Sequence, residues 1–500
     1  MNDVLYPGNV DAKTLGIEAP GGPPTTVMMV VPTITRPGEP FSVKVALADD
    51  LGYPSVAFGG VLTLRGAFAR PKSIEVTFEE GAPAVAEVPG VTIAKEGFYR
   101  FEAQLDGKTF HSNPTNCTAD PAHRIYWGDP HVHTVLSDCM TSTCRSLQFC
   151  YAAARWFAAL DWVSAADHVS NGRCTLGKWM EQRAGCDARN DPPAFVTLSS
   201  YEQSLKGGAG GDNNVYFLGE LPLFIDEYEE GNTKTLATKL AEALPTDGFF
   251  IVPHHTTRTG KHGEIPNDIY PGPGVMPVVE IHSKWGTSEY RGNPNPLEKI
   301  HPGPSYVVDL LNQGLPLGFI GGTDTHATMP AGFGIEHLKR NPGMTAVMTH
   351  ELTREQVFRG IQNRHCYATS LERIYLDVEV GVAQPPSAVQ TGNSPGRGRP
   401  GHTSMGQVIE WPDAAKSREI RVTAAAKSDI TTLDVVRNGE TIHSAPVGDW
   451  QGSVTFTDED DLAALALDSP WLGRFVYYYV RVTCVSGAQA WSSPVWLVQP

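Results

Sequence analysis

Tyr126-Trp127-Gly128-Asp129-Pro130-His131-Val132-His133-Thr134 is the stretch that decides the fold. The apolar run Ile125-Tyr126-Trp127 predicts the end of a buried strand, with a turn at Gly128. Two histidines follow at i and i+2. Residues so spaced in an extended segment point to one side, so His131 and His133 present both imidazoles to one point. Two convergent neutral imidazoles begin a site for a borderline divalent ion such as zinc, manganese or iron. Alone, the pair also reads as two polar residues on a wet strand end. The rest of the chain decides between the two readings.

The arrangement recurs downstream. Apolar strands are expected at 162–166, 195–198, 214–218, 249–252, 278–281 and 317–320. Helices are expected at 147–160, 233–244 and 307–312, and at 357–361 behind the Thr353/Gln356 capping pattern. Such alternation argues for a parallel sheet, and about seven strand–helix units suit a closed or nearly closed barrel. Each strand end carries candidate ligands: His131 and His133 with Asp138, then Asp167-His168, Glu202, His254-His255, Glu280 with His282, and Asp324 with His326. Active sites of α/β barrels gather at these C-terminal strand ends. A purely structural account of every one of them would bury unpaired polar groups together. A polynuclear metal site removes that difficulty.

The flanks read differently. Residues 1–25, punctuated by Gly and Pro, read as an extended arm. Over 26–120, short alternating strands such as 41–47, 73–78 and 98–103 read as an N-terminal β-sandwich. The barrel occupies 121–370. Alternation returns at 374–380, 420–424, 454–456 and 475–485, so 371–500 reads as a C-terminal β-sandwich, interrupted by a Gly/Pro/Ser-rich loop at 384–404.

Composition narrows the function classes. Five hundred residues suit about three domains. A formal net charge of −16 argues against nucleic acid, which needs a basic footprint. Neither a secretory leader nor an apolar run of about 20 residues is visible, so a cytoplasmic location without membrane contact is expected. Of the eight cysteines, Cys139, Cys144 and Cys150 cluster after the histidine pair. Free thiols are favoured in so long a chain.

The histidine pair followed by an acid, then Asp167-His168, the lone Glu202, a later histidine and Asp324-Thr325-His326 closely resembles the PHP (polymerase and histidinol phosphatase) superfamily. The stretches 126–134, 253–255, 366–369, 478–482 and 490–494 resemble a branch of it known as a domain of unknown function. The resemblance covers roughly 120–500 and implies a distorted (β/α) barrel with two or three divalent ions, manganese, zinc or iron. It implies that His131, His133, Glu202 and Asp324 hold one ion. Glu202 bridges to a second ion shared with His254 and His282, and Asp138, His168 and His326 hold a third. His255 competes with His254.

The expected activity is hydrolysis of a small anionic ester by a metal-bound hydroxide. A sulfate monoester, phosphodiester or phosphonate ester is preferred over a phosphate monoester. Beside Glu202, the catalytic candidates are Arg258, which would neutralise an ester oxygen together with Lys261 or Lys284, and His262 as general acid. Cys139-Met140-Thr141-Ser142 lacks the formylglycine sulfatase signature, so sulfate ester cleavage would run through the metals. The alternatives are a phosphate monoesterase, attack on a carbonyl or amide, and a non-catalytic glycan-binding protein with a relic barrel. A relic should have lost ligands, and here all are present.

Overall fold

The computed structural model describes residues 3–139, 143–206, 208–219, 224–226, 231–259, 263, 265, 267–300, 303–332, 341–382, 402–410 and 417–499. Near the N-terminus, strands Thr26–Val30, Phe41–Ala48, Val85–Ile93 and Ala69–Arg70 make one four-stranded sheet. Lys108–His111, Glu102–Leu105, Gly60–Arg65 and Ser73–Phe78 make another. The alternation of Ser73–Phe78 turns Ile74, Val76 and Phe78 inward, where they join Val27, Val43, Val45 and Leu47 in one apolar cluster. Two sheets thus share a core, as the period-two pattern requires. The expected extended arm is instead partly helical, over Asn9–Glu18. That helix has almost no amphipathic period, so tertiary contacts hold it. Leu15 is fully buried, and Glu18 accepts hydrogen bonds from Ser146 N and Oγ.

The central sheet runs in the hydrogen-bonded order Phe249–Pro253, Asp212–Phe217, Val196–Ser204, Trp162–Ala165, Arg124–Val132, Gly343–Thr349, Cys366–Ser370. The ladders joining Arg124–Val132 to Trp162–Ala165 and the latter to Val196–Ser204 are parallel; the others are antiparallel. The sheet is therefore mixed, not wholly parallel. A separate three-stranded sheet holds Gly286–Thr287, Val278–Ser283 and Gly318–Gly321. Single backbone bonds tie its flanks to the large sheet, Ile251 N to Val275 O at 2.7 Å and Gly343 N to Gly322 O at 3.1 Å. Among the described residues no continuous ladder closes a barrel. The fold is mixed α/β and rich in strand.

Gly128 does not turn the chain; it lies inside strand Arg124–Val132. A Cβ there would sit 2.1 Å from the Trp162 ring of the neighbouring strand. The glycine serves close approach, the second use of that residue in a strand. The expected helices at 233–244 and 307–312 appear as Thr233–Ala243 and Val307–Asn312. The segment 147–160 forms α-helix Leu147–Ala152 and continues as one π-turn, Ala153–Phe157. Arg354–Gln362 is helical with Thr353 Oγ1 accepting from Gln356 N, while the Gln356 side chain turns to Thr349. A further helix, Leu176–Arg189, is capped by Thr175 and buries Trp179, Gln182 and Cys186.

The C-terminal strands are not a second, separate sandwich. Gln489–Ser492 pairs with Cys366–Ser370 in the register Tyr367↔Ser492, Ala368↔Trp491, Thr369↔Ala490. The sheet then continues through Gly473–Cys484 and Arg418–Arg437 to Tyr375–Val382. Trp491, Trp496 and Tyr479 pack in one apolar cluster with Val279, Ile281 and Phe319. Alternation reveals that one face of a strand is buried but not which sheet the strand joins. Of the expected loop at 384–404, residues up to 401 lie outside the described ones, and His402–Ser404 is a strand on Glu379–Gly381. No helix among the described residues is long and apolar enough to cross a membrane. All eight cysteines are free.

Candidate metal centre

His131 is the penultimate residue of strand Arg124–Val132, and His133 follows directly after its end. A carboxylate clasp sets their position. Asp129, fully buried, accepts from Thr323 N at 3.0 Å, Thr323 Oγ1 at 2.7 Å, Ala331 N at 3.0 Å and His131 N at 3.1 Å. Burial pushes its carboxyl up to about 6 despite these bonds. The clasp ties the histidine strand to the loop after Gly318–Gly321, where Asp324 N donates to His131 O at 2.8 Å. Asp324 and His255 both adopt left-handed backbone, φ 50° and 55°. They meet through Asp324 Oδ2 and His255 Nε2 at 2.7 Å. Two non-glycine residues held in a sparsely populated region at one point is a recurring mark of a functional site.

Glu202 and Asp324 organise the centre. Glu202 Oε2 lies 2.9 Å from His168 Nδ1, 3.2 Å from His133 Nε2 and 3.6 Å from His131 Nε2. Its Oε1 lies 3.1 Å from His254 Nε2. Asp324 Oδ1 lies 3.0 Å from His133 Nε2 and 3.6 Å from His131 Nε2. Two imidazoles are oriented from behind. His133 Nδ1 lies 3.0 Å from Ser137 Oγ, and that hydroxyl donates to Asp167 Oδ1 at 2.7 Å. His131 Nδ1 lies 3.1 Å from Glu280 Oε2. With Nδ1–H donated rearward, each ring turns an Nε2 lone pair inward, as metal-ligating histidines do.

The donors fit a metal better than they fit each other. Glu280 Oε1 and His254 Nδ1 are buried without a hydrogen-bond partner, and Glu202 Oε2 and His168 Nδ1 meet only as an ion pair at 2.9 Å. Lone pairs that crowd together without satisfying one another are costly unless a cation gathers them. Donor atoms lie within 4.8 Å of one another in overlapping groups: His131, His133 and Asp324; His131, His254 and Glu280; His254, His255 and Asp324; Glu202, Asp212 and His254; His133, Cys139, His168 and His326. The charge pattern agrees. Burial raises the Glu202 carboxyl, but His168 and His254 outweigh it and hold the group well below its usual range. Burial likewise opposes Asp324, which His131 and His133 hold low. Burial and His254 push His255 down; burial and His133 push His326 down to about 2. Burial lowers His131, His168 and His254, but the neighbouring carboxylates outweigh it and raise all three, His168 to about 10; a divalent ion would take the place of those protons among the anionic carboxylates.

Of the expected ligands, the structure gathers His131, His133, Glu202, His254, Asp324, His168 and His326. It admits His255 alongside its rival His254. Two expectations are corrected. His282 is elsewhere: Nδ1 meets Thr287 Oγ1 at 2.8 Å, Nε2 meets Asn341 O at 2.7 Å, and the ring stacks on Trp491. Both nitrogens serve packing, and burial lowers the ring to about 4. The i, i+2 rule fails here because the ladder with Gly318–Gly321 is irregular between Glu280 and His282, so Glu280 faces the centre in its place. Asp138 is also elsewhere: it ends the short helix Val135–Ser137 with left-handed backbone and pairs with Lys178. Sequence reading also missed Asp212 and Cys139. The signal for Glu280 was present, a carboxylate at a strand end. Nothing in spacing marks Asp212, which enters on an antiparallel strand.

Arg258 and the buried Lys284 both lie against Trp285. The Arg258 guanidinium stands 5.6 Å and the Lys284 ammonium 4.5 Å from the ring centroid of Trp285. Trp285 in turn lies 6.3 Å from His255 and 6.1 Å from His326. Lys261 and His262 lie outside the described residues. Asn213 is spent on Gly210 O and Gly211 O. Asn214 pairs across from Glu202 and is buried with neither amide atom in a directed hydrogen bond.

Residues 335–437 match a family described as a protein of unknown function (DUF3604). An uncharacterized protein of Chlamydia pneumoniae is 27% identical over 419 residues, covering 82% of this chain and 63% of that protein. One of Chlamydia trachomatis is 25% identical over 421 residues with the same coverage. The chain thus spans 63% of the length of these relatives. A solved two-domain protein of Bacteroides vulgatus, described as containing a predicted PHP-like metal-dependent phosphoesterase, shares 12% identity at a TM-score of 0.38, covering 72% of this chain and 91% of that one. The chain is similar to uncharacterized proteins, and its DUF3604 match begins beyond the histidine cluster.

Proposed function

We propose that the chain is a PHP-like, metal-dependent hydrolase of small anionic esters. One observation carries this reading: six imidazoles and four carboxylates converge in overlapping groups of possible metal donors, several of their atoms buried without a hydrogen-bond partner. Two or three divalent ions, when bound, would acidify a water and clamp the ester oxygens. The rest is the work of side chains. Glu202, with both oxygens facing imidazoles of different groups, would help to hold more than one ion. Asp167 through Ser137, and Glu280 directly, hold His133 and His131 in the tautomer that points Nε2 inward. Arg258 and Lys284, spread over the face of Trp285, neutralise a non-bridging ester oxygen. Asn214, on the same face of the sheet as Glu202 because the two are cross-strand partners, offers an amide donor.

Among esters, a sulfate monoester, phosphodiester or phosphonate ester is the proposed substrate. Among the described residues two cations flank Trp285 beside the centre, not the cluster of arginines that usually clamps a dianion. Comparing kcat/KM for aryl sulfate, phosphodiester, phosphonate and phosphate monoester with one leaving group tests this. A monoester preference above about tenfold, roughly 1.4 kcal/mol of transition-state discrimination, would overturn the substrate class and leave the metal centre standing.

A further inference from the structure

We propose that Cys139 is a metal ligand. With the imidazoles of His168 and His326, and access to His133, it makes a thiolate position that selects a thiophilic ion, zinc foremost. The inference rests on the metal-dependent reading above and deepens it. The acid after the histidine pair, Asp138, was the expected donor here. The chain turns it away: φ at Asp138 is 51°, its side chain is 54% exposed, and it pairs with Lys178. The same left-handed step brings the next residue round. The sulfur of Cys139 and one ring nitrogen each from His133, His168 and His326 lie within 4.8 Å of one another. The three rings are already gathered: His133 stacks on His168 with centroids 4.5 Å apart, and His326 lies 4.3 Å from His133.

No other cysteine is placed this way. Cys144, the nearest in sequence, directs its sulfur to the carbonyls of Cys139 and His326. Cys150 and Cys186 belong to the apolar core. Donor chemistry then separates the positions of the centre. The groups around Glu202 and Asp324 offer nitrogen and oxygen, which suit manganese, iron or zinc alike. A sulfur with two or three imidazoles is a zinc donor set, and magnesium or manganese, which prefer oxygen, gain little there. His133 Nε2 also faces Asp324 Oδ1 at 3.0 Å, so this imidazole sits between the two kinds of position. Binding is a simple exchange: the thiol proton leaves to solvent, a sulfur–metal bond forms, and nothing is oxidised or reduced.

The test is cobalt substitution of the full chain stripped of metal. Wild-type protein loaded with Co(II) is expected to show the ultraviolet thiolate-to-cobalt charge-transfer band. Cys139→Ser should lose the band and one bound ion per chain while keeping the remaining ions and its Tm. Cys144→Ser and Asp138→Asn should keep the band. Cobalt bound without the band, or a band that survives in Cys139→Ser, overturns the thiolate ligand and leaves the ester-hydrolase reading intact. An Asp138→Asn protein that loses the ion restores the carboxylate as its donor and overturns the proposal equally. Failure of wild-type protein to bind any cobalt or zinc would sink both readings, so the two failures are told apart.

Discussion

At the scale of the residue, the centre separates side chains that look alike in sequence. Glu202 and His282 were both expected ligands, and they make opposite predictions. Glu202→Gln keeps the shape but removes the charge that His168 and His254 compensate. Activity should fall at least about a hundredfold, roughly 2.7 kcal/mol of barrier, with metal content reduced and Tm nearly unchanged. Near-wild-type turnover in this variant would end the bridging role. For His282→Gln, the loss is a packed, doubly hydrogen-bonded ring against Trp491. Stability should drop by about 1–3 kcal/mol while metal stoichiometry, measured by elemental analysis, stays at the wild-type value. A lost ion in His282→Gln would restore it as a ligand. The reason for the difference is a single irregularity in one ladder, which sends residues 280 and 282 to different sides. Spacing in sequence assumes a regular strand, and only the folded sheet shows where that assumption breaks.

At the scale of the element, the central strands are held on both faces by parts distant in sequence. Strand Cys366–Ser370 has Gly343–Thr349 on one side and Gln489–Ser492 on the other. Phe319 on the inner sheet packs edge-on against Tyr479, and Trp491 Nε1 donates to the buried Glu289 at 2.7 Å. Ending the chain just before Arg373 would therefore expose a sheet edge and an apolar face together, both aggregation hazards. Such a truncation is expected to be insoluble, and a soluble, active product on size-exclusion chromatography would refute this. Strand positions and most helices were legible because periodicity is local. Helix Asn9–Glu18 was not, since nothing in its own sequence stabilises it. Leu176–Arg189 had an N-cap in Thr175 but a polar stripe broad enough to hide the buried Trp179 and Cys186.

At the scale of the molecule, stability at low pH depends on charge pairs in the C-terminal strands. Asp458 is buried between Arg418 Nη2 and Arg437 Nη1, each at 2.7 Å, and accepts from Tyr478 Oη. Burial raises its carboxyl, but Tyr478 and Arg437 outweigh it and hold the group below the usual 3.8. A carboxyl lowered on folding stabilises the folded state fully above its unfolded value and loses that contribution as pH falls through the folded value. Asp458→Asn should therefore lower Tm at neutral pH, by an amount corresponding to about 3–5 kcal/mol for a broken buried pair. The gap from wild type should close as pH drops below about 3.8. A gap that stays constant down to the acid limit would show that the pair does not titrate as described.

The residues that end the central strands were readable in the chain, because strand periodicity and the chemistry of His, Asp and Glu are local properties. So was the metal character of the centre, since several buried imidazoles at strand ends have no other economical explanation. What tertiary structure decided was which donors meet. Glu280 replaced His282 through a ladder irregularity, and Cys139 faces the imidazoles because one left-handed residue turned Asp138 outward. The C-terminal strands joined the central sheet instead of forming their own. Each of these depends on backbone geometry or on a partner strand more than a hundred residues away, and a pattern of side-chain types along one chain carries neither.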